Sequence, residues 1–110
     1  MLNLSQFYGT ENYYKHPFSK VVYTDGVQYF AQEAGAYWFL DKALIEYALL
    51  HKAHEFLSIE LMSANNQALV SITDGNDNIL KTDAIEFTDC PEGKYCFFMT
   101  NNVLMLTSEY

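Results

Sequence analysis

Six carboxylates fall within nineteen residues, at Asp74, Asp77, Asp83, Glu86, Asp89 and Glu92, with Lys81 the single opposing charge. Carboxylates at that density can hold a metal, work as an acid and base pair, or present a row of negative charge to a basic partner. Metal binding has a form to meet. Asp74, Asn76 and Asn78 open like a calcium loop, but such a loop needs glycine at its sixth position and glutamate at its twelfth, where this chain has Ile79 and Ile85. The stretch is read as a polar hairpin turn. The row of acids keeps two readings: imitation of nucleic-acid phosphates to occupy a basic channel, or protection of an edge strand by charge.

A second constellation is His51, His54 and Glu55, with His51 and Glu55 on one helix face at i, i+4. Zincin motifs run H-E-x-x-H or H-x-x-E-H, and neither order is present. The histidines are read as residues that the helix C-terminal dipole favours. A small metal-dependent or hydrolytic enzyme around the three is the alternative. Cys90 and Cys96, separated by five residues, match neither a zinc pair nor a redox C-x-x-C, and are expected to be reduced and structural. The five glycines are scattered at turns rather than gathered into a phosphate loop. No metal or cofactor is expected, and the chain is read as non-enzymatic.

Charge narrows the partners. Fourteen acids face six lysines and no arginine, a formal net charge of −8. Direct binding of nucleic acid is disfavoured by that balance, and a basic protein surface is favoured. The acidity is uneven: residues 1–56 carry six acids and four lysines, whereas residues 57–110 carry eight acids and two lysines. No apolar run reaches the roughly 18 residues that a membrane span needs, and the N-terminus lacks the pattern of a signal peptide. A cytoplasmic location without membrane attachment is expected.

The elements that must hold these groups are legible in outline. Leu4, Phe7 and Tyr8 have the spacing of a short N-terminal turn or helix, and Val21–Tyr23 reads as a brief extended piece. Val27, Phe30, Ala31 and Ala34 recur at i, i+3, i+4 and i+7, one face of a helix that Thr24 or Asp25 can cap and Gly35 can stop or kink. A second helix, Ala36 to about Ala53, puts Phe39, Leu40, Ala43, Leu44 and Tyr47 on one arc. Its opposite arc interleaves Trp38, Ile45 and Leu49 with charged residues. That stripe marks either a central helix or an interface, including one between two copies in a homodimer.

Beyond His54 the period changes to two. Leu57–Met62 and Ala68–Thr73 flank an Asn65-Asn66 turn, Ile79–Lys81 and Ala84–Thr88 read as one broken strand with Ile85 and Phe87 inward, and Tyr95–Met99 and Val103–Leu106 form a last hairpin. The near-continuous apolar character of that hairpin predicts strands covered on both faces. The expected fold is a single α+β domain, 1–110. N-terminal helices (1–56) pack on one face of a four- to five-stranded antiparallel sheet, a β meander over 57–110.

Phe7, Gly9, Thr10, Glu11, Tyr13 and Tyr14, then Tyr23-Thr24-Asp25-Gly26-Val27, Ala34-Gly35-Ala36-Tyr37-Trp38 with Leu40-Asp41, Ile85-Glu86-Phe87-Thr88-Asp89 and Ser108-Glu109-Tyr110 form a pattern along nearly the whole chain. In it the sequence resembles a family of small uncharacterised proteins of bacteria, phages and mobile elements. The resemblance carries no established activity. The mobile-element context it implies suggests an inhibitor of a host defence complex, anti-CRISPR-like, that blocks a nucleic-acid-binding surface. The contact residues expected for that role are Asp74, Asp77, Asp83, Glu86, Asp89 and Glu92, with Trp38, Ile45 and Leu49.

Overall fold

Two asparagine pairs set the centre of the sheet. Asn65 and Asn66 take φ of 54° and 59°, and Asn101 and Asn102 take 52° and 59°. These left-handed conformations suit the two-residue turns that match strand twist, and asparagine tolerates them. In the computed structural model, which describes residues 2–110, the first pair joins β3 (Phe56–Ala64) to β4 (Gln67–Thr73) and the second joins β6 (Gly93–Thr100) to β7 (Val103–Leu106). β5 (Ile79–Ile85) follows β4 after the Asp74–Asn78 turn. β1 (Tyr13–Lys15) and β2 (Val22–Thr24) come from the N-terminal part of the chain.

All seven strands share one sheet, in the order β1-β2-β7-β6-β3-β4-β5. Its pairs are antiparallel except β2 with β7, where Val22 lies beside Val103 and Tyr23 beside Leu104. The expected four- to five-stranded antiparallel sheet under N-terminal helices is therefore corrected: the chain is mostly a seven-stranded mixed sheet with two short helical stretches. The reason is local. β1 and β2 are three residues each, too short for a period-two pattern to register, and the partner of β2 lies far along the chain.

The helical stretches are α1 (Asp25–Glu33), and α2 (Tyr37–Lys42) continued through a π turn (Ala43–Tyr47) into α3 (Ala48–His51). Thr24 caps α1, its hydroxyl accepting from the Val27 amide at 3.3 Å. Gly35, at φ 61°, ends it. In the π turn the Ala48 amide donates to the Ala43 carbonyl, five residues back. The Leu4–Tyr8 region forms only a turn, with the Phe7 amide on the Leu4 carbonyl at 3.2 Å.

Alternation along the strands sorts the two faces of the sheet. Leu57, Ile59 and Leu61 of β3, Val70 and Ile72 of β4, Tyr95, Phe97 and Met99 of β6 and Leu104 of β7 are buried beneath the helices. Phe30 of α1 is the hub, with ring centroids 4.9 Å from Tyr95, 5.2 Å from Phe97 and 6.0 Å from Phe39. Truncating a phenylalanine so enclosed costs about 3–5 kcal/mol. Among the described residues no α-helix packs on the other face. Coverage of the last hairpin on both faces is thus corrected: Cys96, Phe98 and Met105 are only half-buried. Phe56 and Tyr110 stand 4.9 Å and 5.2 Å from Phe98 and shield part of that side.

Candidate functional site

The six carboxylates divide into three groups along β5. At its start, Asp74 is consumed by its own turn: the Asn76 amide donates to it at 2.8 Å and the Asn78 side chain at 2.9 Å. Those bonds, the Asn78 one first, hold its carboxyl below the ordinary value. Asp77 is exposed beside it. Asp83 sits opposite Val70, whose side chain is buried under the helices, so Asp83 points the same way. It accepts from the Tyr47 hydroxyl at 2.7 Å, with Lys42 Nζ at 3.8 Å. Burial first, and Asp83 second, push the Tyr47 phenol up, so it remains a proton donor.

Glu86, Asp89 and Glu92 form the third group, all exposed. They lie at the other end of β5, about 20 Å from the Asp74 turn by strand length. The segment is fastened there: the Thr88 amide donates to the Asn66 carbonyl at 2.9 Å, and Thr88 Oγ1 accepts from Trp38 Nε1 and from the Cys90 amide, each at 3.1 Å. Glu86 borders a shallow depression with Met62 and Leu69, and Glu92 flanks Asn65 and Asn66. Between Glu86 and Asp89 in the chain, Phe87 is 68% exposed. β5 ends at Ile85, three residues short of the broken strand expected from the sequence, so Phe87 turns out to solvent instead of inward. Its only signal in the sequence was an apolar residue among acids.

Trp38, Ile45 and Leu49 do not stay together. The π turn winds more slowly than an α-helix and shifts the residues after it by roughly a quarter turn. Trp38 faces Thr88 near the β5 side of the sheet. Ile45 and Leu49 are 46% and 61% exposed and line a groove of about 560 Å³ with Phe18, next to the β6–β7 turn.

The histidine constellation is also taken up by the fold. His51 Nδ1 lies 3.0 Å from the His54 carbonyl and His51 Nε2 lies 3.2 Å from the Asn102 amide. A carbonyl only accepts and an amide only donates, so Nδ1 carries the proton and the lone pair of Nε2 is already used. Both ring nitrogens are engaged, Nδ1 with the chain just after α3 and Nε2 in tying α3 to the β6–β7 turn. Among the described residues no group of three or more His, Cys, Asp or Glu is placed to hold a metal. Cys90 and Cys96 are free, and burial raises both thiols, which makes them poor nucleophiles at neutral pH.

One carboxylate passed over in the sequence is the most fully bonded. Glu109, in the closing 3₁₀ turn (Thr107–Glu109), accepts from the Thr24 hydroxyl at 2.6 Å, the Leu106 amide at 3.0 Å, the Thr10 hydroxyl at 3.1 Å and the Gly26 amide at 3.3 Å. Next to it Asp25 accepts from the amides of Asn12 and Glu11 and from the Tyr14 hydroxyl.

A family model, DUF6876, described as a family of unknown function, matches residues 2–110. The chain belongs to that family. No curated protein and no solved structure matches it. Much of the sequence pattern of this DUF6876 member serves its fold: Thr10, Thr24, Gly26 and Glu109 form one polar knot, Tyr14 and Asp25 extend it, and Trp38 and Thr88 fasten the far side.

Proposed function

We propose that this protein is a non-enzymatic binding module that docks on a basic protein surface through the end of the sheet around Phe87. The observation that carries the reading is Phe87 itself, 68% exposed, next to Glu86 in the chain and within five residues of Asp89 and Glu92, all three exposed. An exposed aromatic ring in a segment that carries charge of one sign is the composition of an interface anchor with a steering rim. Met62 and Leu69, 49% and 46% exposed, line a shallow depression with Glu86 and add apolar area at this end of the sheet. β5 is an edge strand, and its unpaired backbone groups offer further hydrogen bonds to a partner strand.

The concrete case is an inhibitor carried by a phage or mobile element, whose partner is a host nucleic-acid-binding complex of the CRISPR–Cas kind. The three carboxylates compete there with nucleic-acid phosphates for lysine and arginine. Asp83 and Asp74, bonded within the fold, are left out of the contact set. Co-elution of purified protein with nucleases and CRISPR–Cas complexes, combined with an interference assay, tests the reading. Wild type is expected to bind and protect, and the Glu86→Lys/Asp89→Lys/Glu92→Lys and Phe87→Ala variants to lose both. Absence of any complex, with interference unchanged by the charge reversals, sinks it.

A further inference from the structure

We propose that the groove between the 16–21 loop and the π turn and α3 is a second docking site, for a partner segment that is amphipathic and acidic. Six of its eleven lining residues are apolar. Ile45 and Leu49 stand at i, i+4 along one side and Phe18, 83% exposed, stands on the other. Three large apolar side chains exposed around one concave surface of about 560 Å³ form a contiguous patch of the kind that marks an interaction site.

Charge selects the occupant. The chain has fourteen acids, yet none of the eleven residues lining this groove is acidic, and two of them are lysines, Lys20 and Lys52. Both are exposed, and neither makes an ion pair among the described residues. On a surface of net charge −8, two unpaired lysines flanking an apolar groove complement a segment whose leucine-like side chains enter the groove and whose carboxylates meet the rim. The i, i+4 spacing of Ile45 and Leu49 suits a helix laid alongside. The site has the opposite sign from the Phe87 surface and stands independently of it.

Selection of a displayed random peptide library, of about 16 residues to allow four helical turns, on the full chain tests the proposal. Recovered peptides are expected to place two apolar residues three or four apart with Asp or Glu beside them. Their affinity is expected to fall at least about tenfold against Lys20→Glu/Lys52→Glu and against Leu49→Ser, and to fall with salt. Glu86→Lys/Asp89→Lys is expected to leave it unchanged. All these side chains are exposed, and circular dichroism is the check that each variant keeps its fold. Basic peptides, no enrichment, or equal binding to the lysine-reversed variant overturns the proposal. So does sedimentation showing that a second copy of the chain fills the groove, or displacement of the selected peptides by laurate alone, which would make it a site for a small anionic amphiphile.

Discussion

The Glu109 carboxylate closes the C-terminus onto the first turn of α1 through Gly26, whose amide donates to it at 3.3 Å. A Cβ at Gly26 would stand 2.6 Å from Glu109 Oε1 and 2.5 Å from Leu106 Cδ1. Leu106 is buried and Glu109 is fixed by four donors, so neither can withdraw without loss. The anion also complements the positive end of the helix.

Glu109→Gln is expected to cost about 1–2 kcal/mol, from one lost acceptor geometry and the lost charge. Gly26→Ala is expected to cost about 1–3 kcal/mol through the clash. Because Glu109 is one of the two side chains that a Gly26 Cβ would meet, Gly26→Ala/Glu109→Ala should cost less than the sum of its single changes. Urea denaturation of wild type, Gly26→Ala, Glu109→Ala and the double variant checks this, and strict additivity would show that the knot is not shared.

Stability should fall at both ends of the pH scale, for separate reasons. Desolvation raises Asp25, but the Asn12 amide, the Tyr14 hydroxyl and the Glu11 amide outweigh it and leave the carboxyl below its ordinary 3.8. A depressed folded value means stabilisation present above 3.8 and lost as pH falls through the folded value. Asp25→Asn should flatten that acid limb. Burial raises Tyr47, Tyr95 and Tyr23 above the ordinary 10.0, and the bond to Asp25 raises Tyr14. For a phenol the raised value favours the protonated folded form, so stabilisation is present below pH 10 and lost as pH rises beyond it. Ultraviolet titration should show phenolate appearing only with unfolding for Tyr47, and Tyr47→Phe should flatten the alkaline limb.

His51 offers a direct spectroscopic check. Its two partners demand the Nδ1–H tautomer, whereas His16 demands the other one. His16 Nδ1 accepts from the Phe18 amide at 3.1 Å, and Nε2 faces Asp41 at 3.2 Å. Nitrogen-15 shifts of the rings should therefore differ in opposite senses at neutral pH. Zinc titration is expected to leave the His51 shifts in place, and a metal-dependent change confined to His51, His54 and Glu55 would revive the enzymatic alternative.

The parts of this fold that were legible in the sequence are those with a local cause. Asn65-Asn66 and Asn101-Asn102 announced their hairpins because φ above zero selects for asparagine, and Val27, Phe30 and Ala31 announced α1 by spacing alone. β1 and β2 were not legible, since three residues show no period and the Val22–Val103 pairing spans most of the chain. The π turn at Ala43–Tyr47 has no sequence signature either, and it is what separates Trp38 from Ile45 and Leu49. The acidic row was legible as a composition but not as a surface: which carboxylates face solvent depended on where β5 stopped and on the reach of Tyr47 and Asn78.

Asp83 and Glu86 therefore separate fold from function within one acidic stretch. Asp83, with a side chain 21% exposed, receives the Tyr47 hydroxyl and approaches Lys42, which also holds Glu46 at 3.0 Å. The π turn brings positions 42 and 47 onto the same side, where in an α-helix residues five apart diverge. Removing either partner of the hydroxyl–carboxylate bond should cost about 1–3 kcal/mol, and a Tyr47→Phe/Asp83→Asn cycle should show a coupling of about 1 kcal/mol or more. Partner binding by Asp83→Asn should stay at wild-type level once the variant is folded. Glu86→Lys should do the reverse, leaving the denaturation midpoint within about 0.5 kcal/mol while abolishing binding. If Asp83→Asn abolishes binding at full stability, the contact surface runs over the helix side of β5 instead of around Phe87.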